Sequence, residues 1–132
     1  MIYMFDTDTV SFFMKDNPKE IRKKVAKHNK DDFCISAITC AELMFGLKKN
    51  YSEKLDFWLN EVLDRFRVIS FDDASSIIYG EIRATLEKSG NPLDNMDMLI
   101  AASALAAKAT LVSNNVKHFS RIKGLKIEDW SK

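Results

Sequence analysis

The sequence predicts an α/β domain with a parallel sheet and helices on both its faces, and three observations lead there. Short apolar runs such as Ile2–Phe5, Phe33–Ile35 and Thr110–Val112 lack the polar alternation of a half-exposed strand, so they read as strands buried on both sides. Longer stretches with a helical apolar repeat separate them, and strands alternating with helices imply parallel pairing. The first run stops at a carboxylate, Asp6, at the strand end where open α/β sheets bind their ligands. The expected form is a three-layer α/β/α domain over residues 1–132, with a central sheet of four to five short strands.

In chain order, Thr7-Asp8 can cap a short helix through Met14, burying Val10, Phe12, Phe13 and Met14. Asn17-Pro18 reads as a cap followed by a first-turn proline. It opens a basic surface helix to about Asn29, with Ile21, Val25 and Ala26 as its few apolar positions. Asp31-Asp32 ends that helix, and Phe33–Ser36 is the second strand. The next helix, Ile38 to Leu47, is apolar nearly all round. Glu42 is the lone charge in its first turns and falls between Ile38 and Gly46, beside Phe45. An ionised carboxylate in such surroundings is costly unless paired or bound to a cation.

Tyr51 to Phe66 is amphipathic through Leu55, Trp58, Leu59, Val62, Leu63 and Phe66. Arg67–Ser70 is a third strand, and Asp73 to Ser89 a helix capped by Asp72 or Asp73. Gly90-Asn91-Pro92 breaks the pattern. Asp94 or Asn95 then caps an alanine-rich helix, Met96 to Lys108, small enough in its side chains to lie close on a sheet. Thr110–Ser113 is the fourth strand, Asn114-Asn115 a polar loop, and Leu125–Ile127 a short last strand before Trp130.

With 132 residues, one domain can bury roughly two-thirds of its extended surface. No apolar run approaches the length of a membrane span, and no basic leader precedes the first strand. Cys34 and Cys40 lie in apolar contexts without CxxC spacing, as reduced packing residues of a cytoplasmic protein do. Net charge is +1, but seven bases between Lys15 and Lys30 face two acids, and Lys117, Arg121, Lys123 and Lys126 form a second group. Such clusters are either solvated helix faces or tracks for a polyanion. His28 and His118 are expected at the surface.

Four polar positions fall where burial is expected: Asp6, Glu42, Asp97 and the Ser113–Asn115 segment. If the first and fourth strands are neighbours, all four meet at the topological switch point. Like charges brought together destabilise the fold until a cation joins them. Oxygen ligands without His or Cys suit Mg²⁺, with Mn²⁺ as a substitute, better than zinc. Each position has a plainer reading. Asp6 can cap a helix, Asp97 can be the third-residue partner of Asp94, Glu42 can have a cationic partner, and Asn114-Asn115 can be a turn.

Taken together, Asp6-Thr7-Asp8 after a strand, Ala41-Glu42-Leu43 within Ile38–Gly46, Pro92-x4-Asp97-x2-Ile100-Ala101-Ala102, Leu111–Asn115 followed by Phe119 and Arg121-Ile122, and the ending Gly124-Leu125-x-Ile127-Glu128-Asp129-Trp130 resemble a PIN domain. The likeness is closest to the VapC toxins of type II toxin–antitoxin pairs and covers essentially the whole chain. It implies a Mg²⁺-dependent endoribonuclease with Asp6, Glu42 and Asp97 as the principal acids. Asp6 and Asp97 are then metal ligands, and Glu42 is a ligand through water or a base. Ser113 matches the family's small hydroxyl, and Asn115 falls where relatives carry Asn or Asp. Asp8 replaces the usual Asn, and His118 stands where many relatives have an acid. Also implied are a VapB-type antitoxin partner, an RNA substrate and a homodimer. Arg22, Lys23, Lys27, Lys117 and Arg121 are candidate contacts to the RNA backbone.

Two alternatives differ in kind. Phe5–Val10 also fits the DxDx[TV] opening of haloacid dehalogenase-like phosphatases, with Asp6 as nucleophile, but the 19 residues after Ser113 are too few for that family's later lysine and acidic pair. A catalytically inactive PIN-like binding module would hold metal poorly and cut nothing. For an active enzyme, changing Asp6 or Asp97 to an amide should abolish cleavage and leave the fold intact.

Overall fold

A computed structural model describes all 132 residues. Five parallel strands, β1 (Tyr3–Phe5), β2 (Phe33–Ser36), β3 (Arg67–Ile69), β4 (Thr110–Val112) and β5 (Ile127–Glu128), form one sheet in the order β3-β2-β1-β4-β5. Around it lie α1 (Thr7–Lys15), α2 (Glu20–Val25), α3 (Ala37–Lys49), α4 (Glu53–Arg65), α5 (Asp73–Lys88), α6 (Asn95–Ala106) and α7 (Val116–Phe119). The chain leaves β1 toward β2 and β3, then crosses back to β4. The topological switch therefore falls between β1 and β4, where Phe5 pairs with Val112.

The pleat sends alternate strand residues to opposite faces, and each face has its own core. Tyr3, Phe5, Phe33, Ile35 and Val112 join Val10 and Phe13 of α1, Val25 of α2 and Val62 of α4. Met4, Cys34 and Leu111 point the other way, into Ile82, Met98, Ala101, Ala102 and Phe119. Both faces are covered, which explains the unbroken apolar runs of the strands. Both cysteines are free, and burial pushes the Cys34 thiol up to about 11. No helix is long and apolar enough to cross a membrane.

Several boundaries differ from expectation for local reasons. The helix expected at Pro18 begins only at Glu20. Asp16 adopts the left-handed conformation (φ 51°) at the end of α1. Its N–H then reaches Phe13 and that of Asn17 reaches Phe12, so Asn17 closes α1 instead of capping a new helix. A 3₁₀ turn at Lys30–Asp32 leads into β2, and the expected polar loop at Asn114-Asn115 is followed by the short helix α7. Far from being apolar all round in a buried site, α3 exposes Met44 and Phe45, the latter 66% accessible. His28 is half-buried and stacks on Trp130 at 5.2 Å.

Candidate active site

The carboxyl edge of β1 and β4 gathers the polar positions. Asp6 ends β1 and is 5% exposed. One carboxylate oxygen accepts the Thr9 N–H (2.9 Å) and so caps α1. The other accepts the Ser113 hydroxyl from the end of β4 (2.6 Å). The cap reading of Asp6 is thus realised on one oxygen, while the other is tied to the polar segment after β4. Burial raises its pKa above the usual carboxylate value, Ser113 and Thr9 pull it back, and Asp8 adds a smaller upward push.

Ser113 is fully buried and has a second role, accepting the Asn115 N–H at 2.9 Å. That bond folds the turn after β4 back on the site. The Asn115 side-chain amide lies 2.7 Å from His118 Nδ1 on α7, and His118 itself is exposed.

Glu42 lies on α3, half-buried, and one of its oxygens accepts the Thr7 hydroxyl at 2.5 Å. No cation pairs with it. Asp97 is in the first turn of α6, whose cap is Asp94. The Asp94 carboxylate accepts the N–H groups of Met96 and Asp97, but Asp97's own carboxyl makes no reciprocal bond, and the capping explanation for it fails. Half-buried and without a hydrogen bond, Asp97 has its pKa raised to about 6, first by burial and then by Asp94, Asp6, Glu42 and Asp8. Acids from α1, α3 and α6 therefore act on one another through space. No three of them stand as close as the ligands of a bound ion.

The basic clusters separate. Arg22 is committed to structure: its Nε–H donates to the Phe13 carbonyl (2.8 Å), its guanidinium pairs with Glu61 at 3.1 Å and lies 4.1 Å from the Phe13 ring centroid. Lys23 and Lys27 are exposed, but their segment continues into His28, which packs on Tyr3 at the start of β1. The end of the first basic cluster therefore lies near the amino edge of the sheet. Charge counting along a sequence does not show which edge a helix end reaches. Lys117 lies on α7 and Arg121 just beyond it, both exposed and within eight residues of Ser113. Arg121 also donates to the Pro92 carbonyl at 3.4 Å. Sequence reasoning missed Thr9, whose N–H holds Asp6, Thr7, whose hydroxyl holds Glu42, and Thr39, whose hydroxyl contacts that of Thr7.

A parallel sheet with acids from three helices and one strand end at its switch point is the layout of a PIN domain, and residues 3–125 match the PIN domain family. Ribonuclease VapC2 of Rickettsia felis is 38% identical over 140 residues, covering 100% of both chains. The tRNA(fMet)-specific endonuclease VapC of Salmonella typhimurium is 36% identical over 129 residues, 97% of each. The solved VapBC2 of Rickettsia felis, bound to a DNA fragment from its promoter, superposes with a TM-score of 0.91 at 36% identity, over 98% of this chain and 99% of that one. The chain belongs to the PIN-domain family and, within it, to the VapC ribonucleases. That membership sets aside the phosphatase alternative.

Proposed function

We propose that this protein is a Mg²⁺-dependent endoribonuclease, the toxin of a toxin–antitoxin pair, whose site is built from Asp6, Glu42, Asp97, Ser113 and Asn115. One observation carries the reading: Asp97 is a half-buried carboxyl with no hydrogen bond, raised to about 6 by burial and by the acids around it. A group held so uncomfortably is explained by a cation. The donor set is hard oxygen throughout, which suits Mg²⁺, with Mn²⁺ able to replace it. Asp6 and Asp97 would hold the ion, with Glu42 beside them.

A divalent cation supplies a nucleophilic water at neutral pH and neutralises charge on the scissile phosphate. The chain's own residues do the rest. Ser113 and Thr9 fix Asp6 in one orientation. Glu42 spends one oxygen on Thr7 and keeps the other to orient water and receive its proton. Asn115, its N–H held by Ser113, would position water or phosphate oxygens by hydrogen bonds, and Lys117 and Arg121 offer cationic contacts to the RNA backbone. Residues 1–132 act as one PIN domain in the cytoplasm. Because the relative from Salmonella typhimurium is named for tRNA(fMet), transfer RNA is the first substrate to assay.

The partner is a VapB-type antitoxin, supported by the likeness to VapBC2, and the working unit is a homodimer. Phe45, Tyr51 and Phe57 on and between α3 and α4 are 64–69% exposed; apolar area of this kind suits protein contacts. The deciding experiment is cleavage of transfer RNA by the purified chain. Cutting should stop with EDTA, return with Mg²⁺ or Mn²⁺, and be absent from Asp6→Asn. Cutting that ignores chelation, or survives in Asp6→Asn, would refute the proposal, and a chain that folds but cuts nothing would make it a binding module.

A further inference from the structure

Glu42 is reached by a line of hydroxyls that starts on the sheet. Ser36 ends β2 and caps α3, its Oγ accepting the Thr39 N–H at 3.0 Å. Ser36 Oγ and Thr39 Oγ1 are 3.4 Å apart, Thr39 Oγ1 and Thr7 Oγ1 3.2 Å, and Thr7 Oγ1 and Glu42 Oε1 2.5 Å. Ser36 and Thr39 are both 0% exposed.

A hydroxyl has one proton to give. The carboxylate can only accept, so Thr7 donates to Glu42. Thr39 must then donate to Thr7, and Ser36 to Thr39. Only this direction satisfies every contact, and in a dry setting successive hydrogen bonds in one direction strengthen each other. The final bond, from a hydroxyl to an ionised group, is of the short and strong kind. Thr7 belongs to α1 and Glu42 to α3, 35 residues apart, so the contact also fixes one helix against the other at the carboxyl edge.

We infer that Thr7 is a positioning residue, which holds the Glu42 carboxylate toward the reacting groups through the Ser36–Thr39–Thr7 hydroxyl chain. The inference rests on the reading of Glu42 as part of the site. Most other hydroxyls serve caps or backbone carbonyls, as Ser75 does for Asp72 and Ser103 for the Leu99 carbonyl. Among these contacts, those of Thr7 and Ser113 join a hydroxyl to an acid of the site on another element.

The test compares Thr7→Val, which keeps the shape and loses the proton, with Thr7→Ser, which keeps both the oxygen and its proton. Thr7→Val should lower kcat by roughly tenfold to a hundredfold with KM for RNA little changed, the scale of a misplaced catalytic group. Thr7→Ser should restore most of that loss. In a Glu42→Gln background, Thr7→Val should cost nothing more, because the two changes remove one interaction. Mn²⁺ binding measured by calorimetry should weaken in Thr7→Val and recover in Thr7→Ser, a readout independent of turnover. Should Val at this position prevent folding, Thr7→Ala serves the same comparison. Thr7→Val with unchanged kcat and Mn²⁺ affinity, beside an inactive Glu42→Gln, would overturn the inference and leave the site intact. Full activity in Glu42→Gln would remove the reading of Glu42 itself.

Discussion

Asp6 and Asp97 arrive at the same edge in opposite conditions. Asp6 is almost wholly buried with both oxygens bonded, one to a helix N–H and one to the Ser113 hydroxyl. Asp97 is half-buried, and its carboxyl accepts no hydrogen bond from another protein group. Asp6 is therefore tied into the fold, whereas Asp97 is held by no other protein group and sits among like charges. Two acids that look equivalent as ligands should respond oppositely when altered.

The largest contrast comes from the amides. Both Asp6→Asn and Asp97→Asn should lose cleavage by a hundredfold or more, on the order of a removed metal ligand or essential group. Their stabilities should part. An Asn at position 6 presents one acceptor where two donors converge, so it should cost about 1–2 kcal/mol in urea unfolding. An Asn at position 97 removes repulsion and should stabilise the protein in EDTA. A pKa shift of about two units corresponds to at most about 3 kcal/mol, and screening at a half-exposed carboxyl reduces that to about 1 kcal/mol. Equal shifts of one sign in both variants would break the comparison.

A second contrast is pH. The folded-state pKa of Asp97, about 6, lies above its ordinary value of 3.8, so the folded protein holds this proton more tightly than the unfolded chain. Its contribution to stability is complete below pH 3.8 and is lost as pH rises through 6. Asp6 is displaced in the same direction. Metal-free unfolding measured between pH 4 and 7 should show stability falling over this interval, with the fall reduced in Asp97→Asn. An unchanged slope in that variant would assign the effect elsewhere.

Ser113→Ala should act like a weaker Asp6 change, since it deletes the bond to Asp6 and the acceptor of the Asn115 N–H. A loss of about 1–2 kcal/mol is expected for a buried pair left unsatisfied, together with reduced kcat. Smallest is the difference between the basic groups. Lys117→Gln should raise KM for RNA a few-fold and weaken its salt dependence by about one phosphate contact. Arg22→Gln should reduce stability and leave KM alone. The reverse result would make the first basic cluster the RNA track.

The five proposed site positions stand out in the sequence because each breaks a local pattern: Asp6 and Ser113 end buried strands, Glu42 interrupts an apolar helix, and Asp97 and Asn115 begin or precede helices. Strand order was not legible. It depends on β1 pairing with both Phe33–Ile35 and Thr110–Val112, contacts that no local signal encodes. The direction of the basic helix was lost for the same reason, since Arg22 finds Glu61 across 39 residues. Glu42 was read as buried because Met44 and Phe45 were assumed to be core; they face outward, and the partner of Glu42 is a threonine, not a cation. Hydroxyls such as Thr7 and Thr39 carry no pattern of their own and become visible only when α1 and α3 are set side by side.

Thermal unfolding of wild type and Asp97→Asn, each in EDTA and in Mg²⁺, tests the central claim most directly. In EDTA the variant should melt above wild type; Mg²⁺ should raise the melting temperature of wild type, as a ligand of the native state does, and leave the variant where it was. A variant that melts lower in EDTA, or that gains as much from Mg²⁺ as wild type, would contradict the claim that Asp97 is an acid kept unsatisfied for a cation.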